Sequence, residues 1–138
     1  MVIKNYIEGD IAKVRIRLGD DLGGFSESAI SNGPAYTFWK DEEPVAVMGV
    51  IPAYTGVGGV WCVISDSARG KGTELSRRAR RLLTLTMERL NLHRVHAFVR
   101  RDNSEYIRWA RFMGFNVEGV MFKGTPEKKD MVIMAKVN

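Results

Sequence analysis

The residues best suited to chemistry stand at one turn. Ser65-Asp66-Ser67-Ala68-Arg69-Gly70-Lys71-Gly72 follows the apolar run Val60, Trp61, Cys62, Val63, Ile64 and precedes a stretch of helical spacing that opens near Thr73. A glycine-bearing turn feeding a helix leaves the first backbone N–H groups of that helix without intrahelical partners, all aimed at one spot under the positive end of the helix dipole. That is an anion cradle in outline, and Arg69 and Lys71 add charge beside it. Groups able to accept a proton are more scattered: Asp66, Glu43, His96 and Asp102. Asp66 also suits the organisation of its turn and Asp102 the capping of a helix. His96 alternates with Val95 and Ala97, so it faces either the covered side of a strand, as a satisfied core histidine, or a cleft; the core reading is preferred. His93 is expected at the surface, and two separated histidines without an acidic partner pair do not make a metal site. The single cysteine, Cys62, rules out an internal disulfide and reads as a small buried hydrophobe.

The element that must position the cradle is the helix after it. Leu75, Ala79, Leu82, Leu83, Thr86 and Leu90 recur at the three-and-four interval of one face, while Arg77, Arg78, Arg80, Arg81, Thr84 and Glu88 fall on the other. One face therefore packs on a sheet and an arginine-rich face meets water. The chain carries a net charge of +5 with a pI near 9.6. Arg69, Lys71, Arg77, Arg78, Arg80 and Arg81 gather beside the turn, which favours anionic partners: a phosphorylated cofactor, nucleic acid or an acidic protein surface. A merely solvated helix face explains the four helical arginines equally well. With 138 residues and 45% hydrophobic content, a single domain spanning residues 1–138 is expected. The opening Met1 to Tyr6 has no signal-like apolar stretch and no run approaches membrane-spanning length, so the sequence predicts an intracellular, cytoplasmic protein without membrane contact.

Read in order, Val2 to Tyr6 is a short strand and Glu8-Gly9-Asp10 a helix start, with Ile11, Val14, Ile16 and Leu18 partly periodic. Residues 19–33 read as loop with one helical turn, anchored by Phe25 and Ile30. Two strands, Ala35 to Trp39 and Pro44 to Ile51, join through the turn Lys40 to Glu43, and a second turn, Pro52 to Gly59, leads into the Trp61 strand. After the long helix come a strand from Arg94 to Arg100, a helix from Ser104 to Phe112 stopped by Gly114, and a hairpin of Val117 to Lys123 with Met131 to Val137. Hairpin-linked strands run antiparallel and helix-linked ones parallel, so the fold class is α/β (α+β): a mixed, mostly antiparallel sheet of six to seven strands flanked by helices on both faces.

Arg69-Gly70-Lys71-Gly72, between an apolar strand and a helix, resembles the Arg/Gln-x-x-Gly-x-Gly/Ala turn of the GCN5-related N-acetyltransferase (GNAT) superfamily. Val99-Arg100-Arg101-Asp102-Asn103, then Ile107, then Arg111-Phe112-Met113-Gly114-Phe115 is similar to the strand, asparagine, helix and terminal Gly-Phe of the same superfamily. The resemblance runs from about Pro44 to Asn138. It implies acetyl-CoA as cosubstrate, with its pyrophosphate held by backbone amides from Arg69 through Gly70, Lys71 and Gly72 to Thr73. It implies that main chain around Ile64 polarises the thioester carbonyl, as an oxyanion-type contact when an amine attacks. It places Asn103 either against the pantetheine arm or as the cap of its helix. Two positions depart from the pattern. Glu74 stands where the superfamily has a small residue, and its carboxylate would repel a pyrophosphate by about 1 kcal/mol if solvated, although an acid in a first helical turn is otherwise favourable. Ala110 stands where many members place the tyrosine that protonates the leaving thiolate, and alanine has no proton to give. Tyr106, one turn earlier, is the substitute on a compatible face, though packing alone explains it.

These features lead to an acetyl-CoA-dependent N-acetyltransferase acting on a primary amine whose identity the sequence does not name, with no metal. The catalytic residues stay unassigned among Tyr106, Asp66 and His96. The alternative is a GNAT-shaped structural or binding protein without acyl transfer; small internal virion proteins of short-tailed phages look similar in size and around Asn103, and Glu74 with Ala110 suits that case. Nucleic-acid binding through the arginine face ranks third, for want of an aromatic stacking platform or a reader motif. Trp39, Trp61, Trp109 and the seven methionines serve a core or an interface, which leaves a homodimer open.

Overall fold

The computed structural model describes residues 1–15, 27–66, 68 and 72–138, with backbone alone for 27, 28, 72 and 73. The expected helical residues Ile16 and Leu18, the anchor Phe25, and Arg69, Gly70 and Lys71 of the cradle lie outside the described residues. Among the described residues the strands and α-helices follow in the order β1 (Val2–Asn5), α1 (Glu27–Ile30), β2 (Ala35–Lys40), β3 (Glu43–Tyr54), β4 (Val57–Ile64), α2 (Gly72–Arg89), β5 (Arg94–Arg100), α3 (Ser104–Phe112), β6 (Asn116–Met121) and β7 (Met131–Val137). The strands hydrogen-bond as one mixed sheet in the order β1-β2-β3-β4-β5-β7-β6. The β4–β5 ladder is parallel; β1–β2, β2–β3, β5–β7 and β6–β7 are antiparallel. This is the expected fold class.

The chain gathers into two compact units, Met1–Pro52 with Val60–Leu75, and Ala53–Gly59 with Ser76–Asn138. In the first, Val14, Ile30, Val47, Trp61 and Val63 form a buried cluster with Tyr6, Ile11, Ala35 and Ile51 packed against it. Gly49 is required there: a Cβ on it would stand 2.4 Å from the Trp61 ring, so the indole lies flat on bare backbone. The helix expected from Asp10 is instead a single 3-10 turn, Ile11–Lys13, after which Val14 turns extended. Asp10 is the reason the turn is anchored and also why it goes no further. Its buried carboxylate accepts from the Thr37 hydroxyl at 2.8 Å and from the Ile7 amide at 3.0 Å, so it is spent on holding the turn to β2 rather than on capping a longer helix.

In the second unit, β5 pairs along its whole length with β7, and Val95 and Met134 are fully buried. The buried row of α2 is Leu75, Ser76, Ala79, Leu83, Thr86 and Met87, while Leu82, placed on that face by its spacing, is only half-buried. Both helices here end in the same way. Asn91 (φ 55) follows α2, with the Leu92 N–H bonding Met87 O and the Asn91 N–H bonding Glu88 O. Gly114 (φ 103) follows α3, with Phe115 N–H to Ala110 O and Gly114 N–H to Arg111 O. Each pair of bonds satisfies carbonyls that a helix end otherwise leaves open. The segment Pro52 to Gly59, expected as a turn, is mostly strand: β3 runs on to Tyr54, β4 starts at Val57, and only Thr55 and Gly56 turn.

Candidate functional site

The candidates of the first unit begin at the end of β4. Its alternation sends Trp61 and Val63 into the core and leaves Cys62 and Ile64 half-buried on the other face. Burial pushes the Cys62 thiol up to about 12, so it is inert as a nucleophile even though the residue as a whole is half-buried. Beyond Ile64 the main chain is already engaged. The Ser65 N–H donates to Val45 O at 2.8 Å, Asp66 N–H to Arg15 O at 2.9 Å, and Ala68 N–H to Ser65 O at 3.1 Å. These three amides are therefore already paired within the fold. The Asp66 side chain is exposed. Glu43 lies 3.6 Å from Arg15 Nε on the surface, an exposed pair of small energetic weight.

α2 then opens at Gly72 and runs for 18 residues, about 27 Å. Gly72 and Thr73, two of the residues expected in the cradle, are its first two positions. Glu74 is half-buried in that first turn, favourable to the helix and unfavourable to an anion at its end.

The remaining candidates belong to the second unit. Asn103 is the N-cap of α3: its Oδ1 accepts from the Tyr106 N–H at 3.2 Å, and its own N–H donates to Arg100 O. Of the two readings of Asn103, the capping one is what its side chain does. Asp102 does not cap. It takes a fork from Arg100 instead, Nε to Oδ1 at 3.1 Å and a terminal nitrogen to Oδ2 at 2.8 Å, and that hydrogen bonding holds its carboxyl below the usual range. Ala110 is buried, one turn after Tyr106, and the Tyr106 side chain is half-buried. Cap and tyrosine are thus brought together in the first turn of α3.

His96 is half-buried, not a core residue. It lies edge-on to Phe98 with ring centroids 5.8 Å apart, on the β5 face that also carries Arg94. Arg94 forks onto Glu118 at 2.9 and 2.6 Å; this hydrogen bonding, with a smaller contribution from nearby His96, holds the Glu118 carboxyl below the usual range. The sequence reading found no acid for His96 because Glu118 arrives from β6 across a register shift between Val117 and Gly119 that no local pattern announces. His93 is exposed, as expected. Among the described residues no group of three His, Cys, Asp or Glu is placed to hold a metal ion, and no helix is long and apolar enough to cross a membrane.

No protein-family model matches the sequence, and neither does any curated protein. Solved structures do match. An IAA acetyltransferase from Bacillus cereus ATCC 14579 superposes with a TM-score of 0.78 at 14% identity over 99% of each chain. Ard1 from Thermoplasma volcanium gives 0.78 at 18% identity, over 99% of this chain and 96% of that one. A spermidine N-acetyltransferase SpeG F149A mutant from Vibrio cholerae gives 0.67 at 17% identity over 77% of this chain, and the match spans 66% of that enzyme's length. The strand and the helix on either side of the sequence motif therefore belong to a fold of the GCN5-related N-acetyltransferase type, matched over 99% of this chain.

Proposed function

We propose that this protein is an acetyl-CoA-dependent N-acetyltransferase, a single domain over residues 1–138 working in the cytoplasm on a primary amine. The observation that carries the reading is the passage from β4 to α2: an 18-residue helix opening on Gly72 and Thr73, eight residues past the end of a core strand, in a fold whose solved examples are acetyltransferases. Acetyl-CoA supplies the acetyl group on a thiolate leaving group. The chain's tasks are to seat the diphosphate on the amides from Arg69 to Thr73, to offer a main-chain N–H at or before Ile64 to the carbonyl oxygen, and to accept the amine's proton. For the last task Asp66 is the exposed carboxylate nearest in sequence to the cradle. No tyrosine stands at Ala110, so the thiolate leaves without a donor there unless Tyr106 serves.

A ligand that binds only the folded state at a hundred times its dissociation constant stabilises by about 2.7 kcal/mol. For a chain of this size that raises the melting temperature by roughly 8–14 °C. Millimolar acetyl-CoA is expected to produce such a rise, and thiol release in the presence of spermidine, an aromatic amine or a peptide N-terminus reads the transfer itself. An unmoved melting curve refutes the proposal.

Glu74 and buried Ala110 favour a second reading, a GNAT-shaped protein that binds without acyl transfer. Glu74→Gly separates the two. A thermal response to acetyl-CoA that appears only in this variant means that the natural helix opening rejects the diphosphate, and the non-catalytic reading stands.

A further inference from the structure

The outer face of α2 does more than meet water. In the second unit a groove of about 540 Å³ runs beside it, lined by Arg77, Arg80, Arg81, Thr84, Leu85 and Phe112. Its floor is apolar and open: Leu85 is 50% exposed and Phe112 43%. Its rim is cationic, and among the described residues neither Arg77 nor Arg81 has a carboxylate partner. Arg80 lies over the Phe112 ring at 5.5 Å from its centroid. Behind the groove, Lys136 donates to Thr84 Oγ1 at 3.3 Å and to Met113 O at 3.2 Å, again with no acid. Burial first, and repulsion from Arg80 second, lower the Lys136 ammonium's pKa.

We propose that this groove docks an acidic segment of a partner protein, two carboxylates on Arg77 and Arg81 and an apolar side chain against Leu85 and Phe112. The spacing sets the pattern. Arg77, Arg81 and Leu85 follow each other at four-residue steps along one row of the helix, each step rising about 6 Å. Alternate residues of an extended chain stand about 6.6 Å apart on one side. An acid-x-acid-x-apolar segment therefore matches the row, with each guanidinium free to take its carboxylate in a fork. The same features argue against nucleic acid. A phosphate track needs continued charge, and this row ends in leucine.

The test uses the whole chain and a fluorescein-labelled peptide with two glutamates and a leucine in that spacing on a glycine–serine background, read by fluorescence polarisation. Saturable binding is expected, weakened at least tenfold by Arg77→Glu with Arg81→Glu, and weakened by Leu85→Ser. A Lys128→Glu, Lys129→Glu variant makes the same charge change on exposed lysines elsewhere in the unit and should bind as the natural chain does. Equal loss in that control, equal binding of a peptide with serine in place of leucine, or tighter binding of oligothymidylate that Arg77→Glu with Arg81→Glu abolishes, each overturns the proposal. So does the absence of saturable binding by the leucine peptide.

Discussion

Replacing Gly49 with alanine tests how β4 is held. A Cβ there would come within 2.4 Å of Trp61 Cε2 and Cζ2 and 2.5 Å of Nε1, well inside any real carbon contact. Trp61 is only 7% exposed and cannot swing away, so the ring or the β3–β4 backbone must shift. Overpacking of this kind costs about 1–3 kcal/mol. At roughly 3–5 °C per kcal/mol, the melting temperature should fall by about 3–15 °C. Removing the indole by Trp61→Ala costs about 3–5 kcal/mol alone, through lost burial and a cavity. In the double variant the clash has nothing to meet, so the combined loss should fall short of the sum by about 1–2 kcal/mol, a coupling that urea unfolding followed by circular dichroism at 222 nm resolves. Additive losses would refute the reasoning, because they would mean that the added methyl never reaches the ring.

Two further perturbations bear on the second unit. Asn103→Ala should cost about 1 kcal/mol in urea unfolding, the worth of an N-cap, while Asn103→Asp, which keeps the acceptor for the Tyr106 amide, should cost little; if Asn103→Asp is as damaging as Asn103→Ala, the side chain is needed for something other than its cap. Lys136 has its pKa lowered in the fold from an ordinary 10.5, so between the folded and unfolded values the unfolded chain holds more protons and stability rises with pH. Lys136→Met should therefore gain most over the natural chain in melting temperature near neutrality, and its advantage should shrink as the pH climbs toward 10.5; an advantage that grows with pH contradicts the assignment.

Much of the architecture is legible in the residues because it depends on period and punctuation. The row Leu75, Ala79, Leu83 is continued by Met87, and Gly114 stops α3 as its conformational freedom predicts. What escaped depends on partners distant in sequence. Ser76 looks like a neutral surface position, yet it is buried because its hydroxyl accepts from Trp109 Nε1 at 2.7 Å, 33 residues on. Asp102 and Asn103 are interchangeable as caps by local preference, and only the Arg100 fork decides between them. The tight hairpin between β2 and β3 puts Asp41 (φ 49) and Glu42 (φ 65) in the left-handed region without a glycine, a conformation that no residue type there advertises. Of the expected site residues, Gly72 and Thr73 open α2, whereas the Asp66 amide pairs with Arg15 O and the Asn103 side chain caps α3.

The arginine face gains meaning from what surrounds it. A helix surface chosen only for solubility mixes signs, because i,i+4 acid–base pairs each add a few tenths of a kcal/mol and disperse the field. Here Arg77 and Arg81 stand at that interval with like charge, and Arg80 lies near enough to Lys136 to depress it. Those choices lower the stability of the free protein, and Lys136 sits half-buried where a methionine would pack without the penalty. The groove also leaves Leu85 and Phe112 open beside the charge. Positive crowding and apolar exposure are both relieved by one event, the arrival of carboxylates on the rim with an apolar side chain below them. Carboxylates arriving there would offset the Arg80 repulsion, the smaller of the two causes that lower the Lys136 pKa, and so raise it; docking in the pH range where Lys136 titrates should then draw protons onto the protein. Calorimetry in two buffers of different ionisation heat would detect that uptake, and an enthalpy independent of the buffer would detach Lys136 from the groove.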